Sequence, residues 1–109
     1  MPFLDTRDLE IIERRPGWRG RMFSSPSMTF VHYEFDAGAW IHEHSHVQEE
    51  VWLVLEGELE VRVARETRIA GPGMVAIVPP DVLHSVVART AGKAIVVDHP
   101  LRELELPKG

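Results

Sequence analysis

Residues 38–57 read Gly38-Ala39-Trp40-Ile41-His42-Glu43-His44-Ser45-His46-Val47-Gln48-Glu49-Glu50-Val51-Trp52-Leu53-Val54-Leu55-Glu56-Gly57, a run closed by glycine at both ends. Its first half sets His42, His44 and His46 two residues apart, and in an extended strand that spacing turns all three imidazoles to one face. Its second half, Val51–Leu55, is an apolar run long enough for a strand and far too short to span a membrane. Glu50 stands at the junction, four residues after His46, where an anionic oxygen can join the imidazoles. The stretch therefore predicts two strands with a polar cluster held between them.

The same punctuated alternation continues on both sides. In Met28–Asp36, Thr29, Val31, Tyr33 and Phe35 alternate with more polar neighbours, and Asp36-Ala37-Gly38 reads as a turn. Leu59, Val61 and Val63 alternate with Glu58, Glu60 and Arg62. Gly71-Pro72-Gly73 is the strongest turn signal, followed by Met74–Val78, the break Pro79-Pro80-Asp81, then Val82–Ala88 and Lys93–Asp98. About eight short strands at near-regular spacing predict an all-β antiparallel barrel or sandwich. One short helix is expected within Thr6–Arg15, where Leu9 and Ile12 form a stripe ended by Pro16-Gly17. Residues 1–109 are expected to form one domain, with a barrel over about 28–98, a short N-terminal extension and a docked or frayed tail from Arg102 to Gly109.

Composition removes several function classes. The chain has 109 residues, 44% of them hydrophobic and 27% charged, the profile of a folded domain. A formal charge of −5 argues against nucleic acid as a partner, which calls for a basic stripe. Cysteine is absent, which excludes disulfides, thiolate metal sites and cysteine nucleophiles. No basic start with an apolar stretch behind it opens the chain, so a cytoplasmic location is the expectation.

Six histidines in so short a chain are the unusual number. His44, His46 and Glu50, with His84 brought across by antiparallel packing, make a set of three imidazoles and one carboxylate. Such donors suit one divalent transition metal ion (iron, manganese, nickel, zinc, copper or cobalt) and not calcium or magnesium. Parity places Trp40 and His42 on the face of His44, and Trp52 and Val54 on the face of Glu50. Trp40, His42 and Trp52 are accordingly the candidates for the wall of a small-molecule pocket. His32 falls opposite the Val31, Tyr33 and Phe35 face and is expected to be exposed.

The spacing Gly38-x5-His44-x-His46-x3-Glu50-x6-Gly57, followed by Gly73-x5-Pro79-x4-His84, resembles the two signature motifs of the cupin superfamily. The first motif matches at every defined position. The second departs twice, with Asp81 where glycine is usual and Ala88 where asparagine is usual. The resemblance implies a jelly-roll-like β-barrel with His44, His46, Glu50 and His84 as metal ligands near one mouth, and pairing into a homodimer. Within the superfamily, the small cupins of pectin degradation that ketonise unsaturated uronates look similar. They share the length, the His44-Ser45-His46 pattern and an Asp–Pro–Arg segment after the last strand, here Asp98, Pro100 and Arg102. By that likeness Asp98 would move a proton and Arg102 would bind the carboxylate of a sugar acid. Here the Asp-to-Arg spacing is shorter, and Glu50 replaces a glutamine common in that group. Two alternatives stay open at this point: an iron-dependent dioxygenase of a small organic acid, and a non-catalytic module that binds a metal and a small ligand.

Overall fold

The alternation of Thr29–Phe35 becomes a burial pattern in the computed structural model, which describes residues 2–103. Thr29, Val31, Tyr33 and Phe35 are buried and the residues between them are half-exposed. Ten strands form among the described residues: β1 (Ile12–Arg15), β2 (Trp18–Ser24), β3 (Thr29–Phe35), β4 (Trp40–His44), β5 (Glu49–Glu56), β6 (Leu59–Val63), β7 (Glu66–Ala70), β8 (Val75–Val78), β9 (His84–Ala88) and β10 (Gly92–His99). They make two antiparallel sheets, one of six strands in the order β1-β2-β3-β10-β5-β8 and one of four in the order β4-β9-β6-β7. The fold is all-β, with the sheets packed face to face. Among the described residues no helix is long and apolar enough to cross a membrane.

The core is the layer between the sheets. Trp18, Tyr33, Phe35 and Trp52 supply its aromatic half from the larger sheet, and Leu59, Val61 and Val86 meet them from the smaller one. Trp18 lies at the centre, its ring centroid 5.5 Å from Tyr33, 5.4 Å from Phe35 and 5.8 Å from Trp52. Fully burying a side chain of this size contributes about 3 kcal/mol or more, so this cluster anchors the wall on which the cavity rests.

Two differences from the sequence reading have physical causes. The helix expected within Thr6–Arg15 is a single 3-10 turn, Thr6–Asp8, capped by the Asp5 carboxylate. Ile12–Arg15 instead pairs with β2, because the Pro16-Gly17 turn folds it back and Gly17 takes the left-handed φ of +84° such a reversal needs. The segment expected as an N-terminal extension thus adds two strands to the larger sheet. Of the two outcomes expected for the start of the tail, Arg102 takes the docked one, its backbone N–H donating to Thr29 Oγ1 at 2.9 Å and its carbonyl accepting from that hydroxyl at 3.2 Å. The rest of the expected tail, residues 104–109, lies outside the described residues.

Candidate metal centre

Two cross-strand pairs face each other at one end of the sandwich. In the smaller sheet His44 of β4 is paired directly with His84 of β9. In the larger sheet Glu50 of β5 is paired with Asp98 of β10. Directly opposed residues on one face have side chains in contact range, so each sheet delivers two polar groups to the same gap. His46, on the connection from β4 to β5, closes the set. Its carbonyl accepts from the Asp81 N–H at 2.8 Å, which ties that connection to the turn before β9. Asp81 itself holds a left-handed φ of 62°, the conformation a glycine would supply there. Its departure from the second motif therefore leaves the turn intact, since aspartate is among the few residues that tolerate this region.

How His44 comes to face inward is a matter of one irregularity. Simple alternation puts Trp40, His42 and His44 on one side of β4. The register shifts between Ile41 and His44, so buried Ile41 and half-buried His44 both point between the sheets. A bulge of this kind re-aims a side chain and reverses parity beyond it. Trp40, 62% exposed, consequently sits on the solvent side opposite Val87 and does not line the cavity. His42 is exposed as well, with Nδ1 3.2 Å from Arg15 Nη1 at the rim. Strand parity alone assigns both to the pocket wall, and the bulge is what removes them. Trp52 does line the cavity, and its indole N–H donates to Glu50 Oε2 at 2.9 Å. That bond, which fixes the carboxylate, is not legible in the sequence. His32 is half-buried rather than exposed.

The imidazoles are oriented for ligation. Nδ1 of His44 lies 2.8 Å from the His42 carbonyl oxygen, Nδ1 of His46 lies 3.1 Å from that of Gln48, and Nδ1 of His84 lies 2.9 Å from that of Val82. Each ring therefore carries its proton on Nδ1 and turns an Nε2 lone pair inward, the arrangement metal-binding histidines adopt. Nε2 of His46 and of His84 are buried without a hydrogen-bond partner. His44, His46 and His84 bring ligand atoms within 4.8 Å of one another, as do His46, Glu50 and Asp98. Inward lone pairs facing a carboxylate repel unless a cation lies between them, so the donor set fits a metal ion.

Electrostatics separates the two buried carboxyls, which are only 3% and 2% exposed for Glu50 and Asp98. Burial acts to raise Glu50, but the His46, His84, Asp98 and Trp52 side chains gathered around it outweigh this and hold the carboxyl far below its usual range. Arg102 Nη1 adds a bond to Glu50 Oε1 at 3.1 Å and stands 3.7 Å from Asp98 Oδ2. Burial and the neighbouring Glu50 charge push Asp98 up to about 8. Two carboxyls side by side do not both ionise readily, so Glu50 takes the charge and Asp98 keeps the proton. Burial pulls His44 down. Burial acts on His84 in the same sense, but its contact with Glu50 overcomes this and raises it. The cavity enclosed by these groups is about 20 Å³, lined also by Arg14, Arg15, Tyr33 and Val96.

Residues 31–100 match the family described as the cupin domain. Among solved structures, an RmlC-like cupin from Shewanella frigidimarina superposes with a TM-score of 0.88 at 31% identity, covering 94% of each chain. KdgF from a Halomonas species superposes at 0.86 with 24% identity, over 94% of this chain and 96% of its own. Oxalate decarboxylase of Bacillus subtilis, described with Mn(II) centres, superposes at 0.79 with 18% identity over 89% of this chain and 29% of its own. No curated protein sequence matches the chain.

Proposed function

The chain belongs to the cupin family, and from that premise we propose that it is a metal-dependent enzyme that isomerises or tautomerises a small oxygenated acid, such as a sugar acid. The observation that carries this reading is the buried Asp98 carboxyl set beside three inward-facing imidazoles and within reach of Arg102. His44, His46, His84 and Glu50 would hold a divalent ion, whose chemistry there is Lewis-acid polarisation of a bound carbonyl or enol oxygen. Arg102 presents a planar fork of donors suited to a carboxylate. Asp98 holds a proton in a water-poor site and can deliver it to carbon. Ketonisation of an enol adds one proton to carbon and removes one from oxygen. Asp98 supplies the first, and the carboxylate it becomes takes back the second, so the residue ends as it began. The cavity of about 20 Å³ is little more than the roughly 10–15 Å³ that one water needs, so most of an acid would lie at its mouth.

The likeness to KdgF and to the pectin-degradation cupins makes an unsaturated uronate the first substrate to try. Protein loaded with manganese, nickel or zinc should remove the ultraviolet absorbance of that acid. Asp98→Asn, which keeps the shape and loses the transferable proton, should lower kcat by at least about 100-fold with little change in metal content. Undiminished activity in Asp98→Asn overturns the proton-transfer role. Oxygen uptake that depends on an added acid overturns the isomerase reading in favour of a dioxygenase.

A further inference from the structure

Arg14 and Arg15 lie at the cavity although adjacent residues of a regular strand point to opposite faces. The cause is a second bulge. In the β1–β2 pairing Glu13 stands opposite Arg19 and Arg15 opposite Trp18, which leaves Arg14 as the extra residue. Ile12 and Arg14 share one side by alternation, and the bulge turns Arg15 to that side too, over the buried face of Trp18. Both arginines thereby line one cavity. Neither is paired with a carboxylate: Arg14 Nη2 donates to the Tyr33 hydroxyl at 3.1 Å, and Arg15 Nη1 lies 3.2 Å from His42 Nδ1.

Among the described residues neither arginine makes an ion pair. Arg7, Arg19, Arg21, Arg68 and Arg102 all do. Arg62, Arg65 and Arg89 do not, but these three are exposed and water solvates them. Arg14 and Arg15 alone among the unpaired arginines are half-buried, where a charge lacks both full hydration and a counter-ion. They line the same cavity as Arg102, which differs from them in having Glu50 as an ion-pair partner.

The geometry points to a second anion subsite formed by Arg14 and Arg15, so that the acid handled at this centre carries two anionic groups. One, with its adjacent oxygen, lies toward the histidines and Arg102. The other lies in the fork of the bulged pair. The inference rests on the proposed acid-binding function and extends its substrate class beyond a uronate with one carboxylate, to dicarboxylates or phosphorylated acids.

Calorimetry on the manganese-loaded protein tests it with three 2-hydroxy acids that share one chelating end: 2-hydroxybutyrate, malate with a second carboxylate, and 3-phosphoglycerate with a phosphate. Malate or 3-phosphoglycerate should bind at least about tenfold more tightly than 2-hydroxybutyrate, as charge-assisted bonds to two guanidiniums require. Whichever of the two binds tighter names the second anion. In the Arg14→Gln/Arg15→Gln variant the preference should shrink to within about threefold. Equal affinity for all three acids in the wild type overturns the subsite, and so does an unchanged preference in the variant. His44→Ala separates this from the parent reading, since it should weaken all three acids and keep their order. If metal-stripped protein binds the acids as tightly as loaded protein, the metal reading falls while the preference still reports the subsite. Absence of binding by every acid overturns both.

Discussion

Two of the openings among the described residues differ in kind. The one at the histidine end is small, about 20 Å³, and its walls carry Glu50, His84 and Asp98 buried to within a few per cent. The other opens between the edge strands β7 and β8, is about 230 Å³, and is lined mainly by Val61, Val63, Ala70, Met74, Val75 and Ile77. Size alone would favour the second. Desolvation argues the other way, because a buried polar group is costly unless something repays it. At the apolar opening the polar groups Glu66 and Arg68 are exposed and have water as an alternative partner. At the histidine end the unpartnered Nε2 atoms of His46 and His84 have none. Uncompensated polarity, and not volume, marks the functional end of this sandwich.

The largest expected effect tests that distinction directly. His44→Ala removes a half-buried ring and leaves the core beneath it untouched, so the variant should fold. Its affinity for a divalent transition metal should drop by at least about 100-fold, measured by competition against a chromophoric chelator, since even indirect supports of such ligands are worth about 10–100-fold. Retention of wild-type affinity would break the comparison, for the histidine end would then be a polar cluster and nothing more.

A middle-sized effect comes from the proton on Asp98. Its folded value is raised from 3.8 to about 8, whereas the unfolded chain releases this proton near the ordinary carboxyl value. Between those limits the folded state binds more protons than the unfolded one, so this contribution to stability is complete at low pH and is lost as pH rises toward 8. The amide of the Asp98→Asn protein has no such proton to lose. In metal-stripped protein the Tm of wild type should therefore fall relative to Asp98→Asn as pH goes from about 4 to about 8, by more than about 4 °C. Parallel curves would mean that Asp98 ionises normally, and the contrast between the two buried carboxyls would go.

How much of this was legible in the sequence depends on what regularity carries. The all-β fold was, because the alternation in Thr29–Phe35 and Leu59–Val63 is the burial pattern itself. The convergence of His44, His46, His84 and Glu50 follows from spacing that survives into the structure. What failed was parity across irregularities. The shift in β4 sent Trp40 and His42 outward, and the one in β1 brought Arg14 and Arg15 inward, where nothing in the sequence hinted at them. A bulge is one extra residue in a pairing with a distant strand, so neither local propensity nor period can reveal it. The short helix expected within Thr6–Arg15 is cut to one 3-10 turn for a related reason, since pairing of Ile12–Arg15 with β2 overrode a weak local stripe.

The smallest expected effect comes from the apolar opening. Ile77 is 61% exposed on β8, at the edge of the larger sheet, with Val51 as its paired neighbour. Its alternation partners Ala76 and Val78 face inward, so the side chain of Ile77 contributes little to the core. Ile77→Ser should change the stability of the monomeric chain by no more than about 0.5 kcal/mol in urea unfolding, the range of surface substitutions. Metal affinity should not move, because Val78, not Ile77, is the residue paired with Glu50 and shares its face. A coupled loss of metal affinity would show that the two openings communicate along β8, through the backbone that registers Val78 against Glu50. Independence would sharpen the contrast: the edge residue is free to vary because the polar groups that need compensation all sit at the other end.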